Sequence, residues 1–286
     1  MKSIRIVTDS VADLPYELIQ RFNIKVVPVY VSFGEQHYLD NGTLDREWFY
    51  RELAIVSNIP ATAAPAPHEF LKVYRQLVDE GAEDIVALFT SASMSSLNNH
   101  AMIAAQQVEG ARVHVIDTQQ VSMGVGWMVV LAAEAIARGV PPADISALIQ
   151  DVCPRTHVLG VLNAIDHLRR SGRVGWATAR LVDVLQIKPI IAFEKGEARL
   201  LGRVRTHHRA LGRLVTLVRE LAPLERLALI HTRASPAFIA QLEQALLPFA
   251  PENPIPVIEV GPVFGAHVGP QCLGVALISS GSISSS

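Results

Sequence analysis

DIVALFTSASMSSLNNHA, residues 84–101, carries the fold reading. DIVALF is an almost unbroken aliphatic run, the pattern of a strand buried on both faces rather than one with a wet side. Thr90 and four serines follow, and a helix is predicted to start directly after them. Ser95 stands at the position of the helix N-cap. There it can cap the helix, hold a ligand's carboxylate, or do both, because a helix N-terminus offers unpaired N–H groups and a partial positive charge.

The same alternation extends on either side. IRIVTD (4–9), VVPVYVSF (26–33) and VHVID (113–117) read as further strands, with QHYL (36–39) pairing back across Gly34. Helical patterns fall between them: ADLPYELIQRF, LDREWFYRELAIV with Thr43 as its cap, PHEFLKVYRQLVDEG with Pro67 at N1 and Gly81 as its stop, and an apolar helix ending at Gly139. Such alternation predicts a largely parallel, Rossmann-like sheet with flanking helices over residues 1–150. Residues 151–286 read as a mixed α/β domain. HVLGVL is followed by a helix, the SGRVG turn and another helix, and PIIAFEKGEARLLGRVR forms a hairpin turning at Lys195-Gly196. A long helix, LALIHT, a further helix, PVIEV and LGVALI complete it. Polar residues gather where the first-half strands end, at Asp9, Ser10, Ser91–Ser95, Asp117 and Thr118. Beyond those carboxyl ends is where open α/β sheets bind ligands.

Composition narrows the function. Of 286 residues, 50% are hydrophobic but only 6% aromatic, which favours an aliphatic core and an apolar cavity. A net charge of −2 gives no global attraction to nucleic acid. The basic stretch from Arg199 to Arg213, Arg205 included, reads as a solvated face or a protein-docking surface. Cys153 and Cys272 lack zinc or redox spacing and read as reduced thiols of a cytoplasmic protein. VSMGVGWMVVLAAEAIA (121–137) is short for a membrane span and carries Glu134, so it reads as a buried helix. Gly124 and Gly126 within it lie too far past their strand for a dinucleotide fingerprint and instead permit close backbone approach. Asp9 reads as a cap bonding N–H groups across its loop. No P-loop, GxSxG elbow or metal cluster is present in the sequence, and no cofactor is expected.

Several segments, in order along nearly the whole chain, resemble the DegV family of bacterial fatty-acid-binding proteins, which includes the lipid-carrying subunits of fatty-acid kinase. They are IVTDSVADLP, PATAAPAP, SASMSSLNNHA, and SGRVG with IKPII followed by HVGPQCLG. The resemblance implies a two-domain α/β fold with one long-chain fatty acid buried between the domains. Its carboxylate would be held by hydroxyls and a histidine, which match Thr62, Ser95 and His267 here, with Ser91 earlier in the same loop as a further candidate. It also implies a non-enzymatic role: a separate fatty-acid kinase catalytic subunit would convert the presented carboxylate to an acyl phosphate, with Arg173 and Arg205 as candidate contacts to the kinase or its phosphate. A transient membrane contact stays open. The sequence departs from the family pattern at Ala63, Ala64 and Ala66, at Ser96-Leu97-Asn98, and at Pro270-Gln271-Cys272. These departures bear on the outer contacts and the acyl-chain preference.

The residues suit such a ligand. A buried methylene contributes about 0.8 kcal/mol, and the carboxylate cannot be buried bare. Threonine and serine each donate one hydrogen bond, and histidine adds another. The rival from a different class is an α/β hydrolase or transferase acting on a small acyl or phosphorylated substrate, with Ser95 as nucleophile and His267 as base.

Overall fold

The computed structural model describes residues 3–56, 59–173 and 187–281. Four strands, β1 (Ile4–Asp9), β2 (Lys25–Val27), β6 (Asp84–Phe89) and β7 (Arg112–Asp117), form a parallel sheet in the order β2-β1-β6-β7. All six residues of β6 are buried, as its aliphatic run requires. Helices α3 (Pro67–Asp79) and α4 (Leu97–Ala105) pack together, as do α5 (Met123–Ala137) and α6 (Pro142–Val152).

The second sheet is mixed, in the order β10-β9-β8-β13-β11-β12. Its strands are β8 (Thr156–Val161), β9 (Lys188–Glu194), β10 (Glu197–Val204), β11 (Leu224–His231), β12 (Val257–Glu259) and β13 (Leu273–Ser279). Only β11 and β12 run parallel within it. The β9–β10 hairpin turns at Lys195-Gly196 as expected. Both residues have positive φ, 50° and 79°, the geometry whose twist matches the flanking strands. One face of this sheet carries α8 (His207–Leu221) and α9 (Pro236–Leu246) through Leu211, Leu214, Val218, Leu242 and Leu246.

Helix α5 is the seam between the halves. It packs against β1 and β6 of the parallel sheet and against β8, β11 and β13 of the mixed one. Twelve of its fifteen residues are buried, so a sequence apolar all round but for Glu134, which pairs with Arg226 at 2.7 Å, is the fitting one. Trp127 Nε1 donates to the Ala276 carbonyl of β13 at 3.1 Å. A Cβ on Gly124 would come within 2.8 Å of Val158 in β8, and one on Gly126 within 2.7 Å of the Ala12 carbonyl. Close approach to a neighbouring strand and turn therefore accounts for both glycines. Among the described residues no helix is long and apolar enough to cross a membrane.

Several local expectations need correction. VVPVYVSF is not one strand. It breaks at Pro28, which has no N–H for a ladder, and its second part becomes β3 (Tyr30–Phe33) of a separate antiparallel sheet, β4-β3-β5. In that sheet β4 (Gln36–Leu39) pairs across Gly34, as expected, and β5 (Ala61–Ala63) places Thr62 opposite Val31. The helix α2 (Arg46–Ile55) is capped by Asp45 rather than Thr43. The Asp45 carboxylate accepts from the N–H groups of Glu47 and Trp48, while the Thr43 hydroxyl donates to Asn41. Helix α4 begins at Leu97, so Ser96 occupies the cap position, and the Ser95 hydroxyl receives only a long 3.4 Å bond from Leu97 N–H. His267 is not on a loop. It lies in the last turn of a short helix, α10 (Pro262–Val268), which follows α1 (Tyr16–Arg21) and α7 (Asp166–Arg170) in completing the helices used below. The helix read after the SGRVG turn, together with Val174 and Gly175 of that turn, lies outside the described residues.

Candidate functional site

The polar loops at the ends of β1, β6 and β7 are bound to one another. Asp9 accepts from Val11 N–H at 2.8 Å, Thr90 N–H at 2.8 Å and the Thr90 hydroxyl at 3.0 Å, the cross-loop capping its position suggested. Asp117 accepts from Ala92 N–H at 3.1 Å, and Asn98 Nδ2 donates to the Thr90 carbonyl at 2.7 Å. The tip of the β9–β10 hairpin closes over this loop. Ser93 Oγ donates to the Gly196 carbonyl, and Gly196 N–H donates to Gln119 O at 2.9 Å. The serine loop is thereby held by both halves of the chain.

Beside this loop is a cavity of about 350 Å³, within the range of small-molecule pockets. Three elements distant in sequence bring Thr62, Ser95 and His267 to its lining: strand β5, the start of α4 and the end of α10. Thr62 Oγ1 and His267 Nε2 are 3.0 Å apart and hydrogen-bonded. Val11, Leu97, Val121, Phe193 and Phe264 supply apolar wall, and Arg173 reaches the lining from just after α7. Among the described residues no aspartate or glutamate lines this cavity. The sign of the site is therefore set by neutral donors and one guanidinium, an environment for an anion.

His267 is held neutral. Burial, with the nearby Arg173 charge second, lowers its pKa to about 4. Its Nδ1 is buried without a hydrogen-bond partner. In the tautomer that donates from Nε2, the Thr62 oxygen accepts that proton, leaving the Thr62 hydroxyl hydrogen to point at a ligand. The segment leading into α10 is fixed from the first half of the chain. Arg46 donates to Glu259 O, the Tyr50 hydroxyl to Val260 O at 2.7 Å, and Gly261 N–H to Asp13 at 2.7 Å. A Cβ on Gly265 would come within 2.4 Å of the Tyr50 hydroxyl, so only glycine lets α10 lie this close.

Ser91 and Arg205 are placed elsewhere. Ser91 is buried, with its hydroxyl 2.9 Å from that of Ser93, and does not line the cavity, because the loop turns it toward the hairpin tip. Arg205 is exposed after β10 and is likewise not in the lining. The serine-nucleophile arrangement is not assembled. His267 directs Nε2 to Thr62 rather than Ser95, and among the described residues nothing orients Nδ1. No local pattern signals Phe193 and Phe264, whose rings meet edge to face at 5.3 Å, because their strand and helix come together only in the fold.

Known proteins share this arrangement of chain. The family described as "Uncharacterised protein, DegV family" matches residues 3–280. A DegV domain-containing protein of Deinococcus radiodurans is 34% identical over 283 residues, covering 96% of this chain and 98% of that one. The fatty-acid-binding DegV family protein of Thermus thermophilus is 30% identical, with a TM-score of 0.88 over 97% of this chain and 99% of that chain. DegV of Bacillus subtilis, a fatty-acid-binding protein, is 25% identical, with a TM-score of 0.85 over 98% and 100%. On the length and order of this match, the chain belongs to the DegV family.

Proposed function

We propose that the protein binds one long-chain fatty acid and presents its carboxylate, through the cavity mouth, to a separate kinase subunit. The observation that carries this is the division of the cavity among the described residues: hydroxyls, a neutral imidazole and a guanidinium with no acidic side chain, set against aliphatic and aromatic wall. The fatty-acid-binding relatives from Thermus thermophilus and Bacillus subtilis support the ligand class.

In this reading Thr62 and Ser95 each donate one hydrogen bond to the carboxylate, and His267 orients Thr62. The tail lies along Val11, Val121, Phe193 and Phe264. Ten buried methylenes would contribute about 8 kcal/mol gross, so the tail rather than the head group dominates affinity. Hydroxyl donors leave carboxylate oxygen lone pairs available, where a bidentate arginine would occupy them. One such oxygen attacks the terminal phosphorus of a nucleotide held by the kinase, the nucleoside diphosphate leaves, and an acyl phosphate forms. Arg173, exposed at the mouth, is placed to meet the added phosphoryl charge.

Solvent extraction of purified protein followed by mass spectrometry tests the ligand class. Near-stoichiometric fatty acid is the expected result. A clean extract, together with no uptake of added palmitate or oleate, contradicts the reading.

A further inference from the structure

A second cavity, of about 460 Å³, lies across β1 from the first. Its lining includes the carboxylates of Asp9, Asp13, Asp40 and Glu259, with Ser10, Asn41 and Arg46. Apolar side chains share that lining, Leu14 and Ile19 from the α1 region together with Val26 and Pro28.

The three acids are not equivalent. Asp9 is satisfied by Val11 and Thr90, and Asp13 by Gly261 N–H and the Ser122 hydroxyl. Asp40 is only 6% exposed; the Ser10 hydroxyl and Val263 N–H favour its charged form, yet its Oδ2 has no hydrogen-bond partner among the described residues. A Cβ built on Gly261 would stand 3.0 Å from both Asp13 Oδ1 and Asp40 Oδ2, so these two carboxylates crowd one point. Among the described residues none of the three makes an ion pair, and Glu259 pairs with Arg233 at 2.9 Å. Arg46 turns a guanidinium nitrogen to the Glu259 carbonyl. Three buried carboxylates thus share one nearby guanidinium. A buried acceptor left in that state costs free energy unless a donor arrives.

The donor that fits is not a metal ion. Among the described residues no group of His, Cys, Asp or Glu is arranged to hold one, and the lining also carries the apolar side chains of Leu14, Ile19, Val26 and Pro28. An ammonium on an alkyl stem matches both halves, with three N–H donors for the carboxylates and methylenes for the aliphatic wall. We propose that this cavity binds a primary alkylammonium group, with its –NH₃⁺ donating to Asp40 Oδ2 and its methylenes lying against Leu14 and Ile19. The inference goes beyond the fatty-acid reading and does not depend on it. The same head group can belong to a free small amine or to the lysine side chain of a partner protein.

Burial supports the sign of the site. It raises Asp9 and Asp40 to about 6 and Asp13 to about 7, against the pull of Arg46 on Asp13 and Asp40. An arriving cation therefore displaces protons near neutral pH. Among the described residues Arg46 and Glu259 are the other charged groups in the lining, which Tyr16 joins from α1.

Calorimetric titration of palmitate-saturated protein with n-hexylamine near neutral pH tests the proposal, with 1-hexanol as the uncharged control. Saturable one-to-one binding is expected, with proton release read from buffers of differing ionisation enthalpy, and no saturable binding of hexanol. Asp40→Asn is expected to weaken the amine at least about tenfold, the loss of one charge-assisted hydrogen bond. Ile19→Trp, which fills the cavity from α1, is expected to abolish binding and serves if Asp40→Asn does not fold. Nα-acetyl-lysine amide binding comparably supports the site with a lysine source, and hexylamine binding alone supports it with a free amine. No saturable amine binding, equal binding of hexanol, displacement of palmitate, or wild-type affinity in a folded Asp40→Asn or Ile19→Trp protein overturns the proposal.

Discussion

Two cavities meet at the carboxyl end of β1, and they have opposite chemistry. Asp9 lines one, and the Thr90 hydroxyl and N–H that it holds belong to a residue lining the other. On the Thr90 side every polar side chain among the described residues is a hydroxyl, an imidazole or a guanidinium. On the Asp9 side the carboxylates of Asp9, Asp13, Asp40 and Glu259 share the lining with Arg46. The parallel sheet supplies the strand end, but residues inserted from outside it set the sign. Thr62 comes from β5, His267 from α10 and Arg173 from the segment after α7, while Asp40 follows β4. A shared strand end therefore places both cavities, and the added elements set the charge of their linings.

That contrast can be broken at the anion side first. Thr62→Ala with Ser95→Ala is expected to lower acyl-phosphate formation by about a hundredfold at saturating palmitate, since two hydrogen bonds to a charge are lost at roughly 1.5 kcal/mol each. Palmitate is expected to remain bound, because its tail contacts are untouched. A coupled kinase assay with measured lipid occupancy checks this, and unchanged turnover would break the division of labour between head and tail.

The acid side responds to pH. The folded-state pKa of Asp13 is raised to about 7, chiefly by burial. Its contribution to stability is thus fully present below about 4 and is lost as pH rises through about 7. Wild type is expected to lose stability relative to Asp13→Asn over that window, on the order of a few kcal/mol. Parallel thermal melts near pH 5 and pH 8 read the gap between the two proteins. A gap that does not move with pH would show that Asp13 is ionised in the fold.

Gly265→Ala perturbs only one side. The new methyl overlaps the Tyr50 hydroxyl and pushes α10 off, at a cost of about 1–3 kcal/mol for overpacking. Palmitate affinity is expected to fall with it, because His267 and Phe264 move. Retained affinity with a lowered melting temperature would place α10 outside the ligand contact.

The smallest effect sharpens the electrostatics. His267 is expected to titrate near 4 without ligand and higher with palmitate bound, because a carboxylate favours the imidazolium. Binding then takes up a fraction of a proton, and affinity rises as pH falls toward that pKa. Imidazole NMR titration with and without palmitate measures the shift, and a downward shift would put the carboxylate elsewhere.

Much of this was legible in the sequence where a residue's role is local. DIVALF and its neighbours read as parallel strands because burial on both faces leaves a continuous aliphatic run. Lys195-Gly196 read as a hairpin because few residue pairs accept positive φ twice. Thr62, Ser95 and His267 were legible through ordered resemblance, not through local pattern. What was missed is non-local or too short to be periodic. The three-residue β5 exists because β3 pairs with it, and α10 is seven residues interrupted by Gly265. The acid cavity was invisible because Asp9 and Asp13 look like turn caps, and Asp40 joins them only when the β3–β4 hairpin folds over. Position alone suggests a cap at Thr43, and a cap, a ligand contact or both at Ser95, because hydroxyls at helix starts suit either role. Asp45 and the turn at Ser96 took those places.

The central claim is that a fatty-acid carboxylate sits at Thr62 and His267 rather than in the acid cavity. Nuclear Overhauser contacts from the α-methylene protons of bound palmitate test it most directly. Contacts to the Thr62 methyl and the His267 ring are expected. Contacts to Tyr16 or Val257, at the acid cavity, or none to Thr62 and His267, would contradict it.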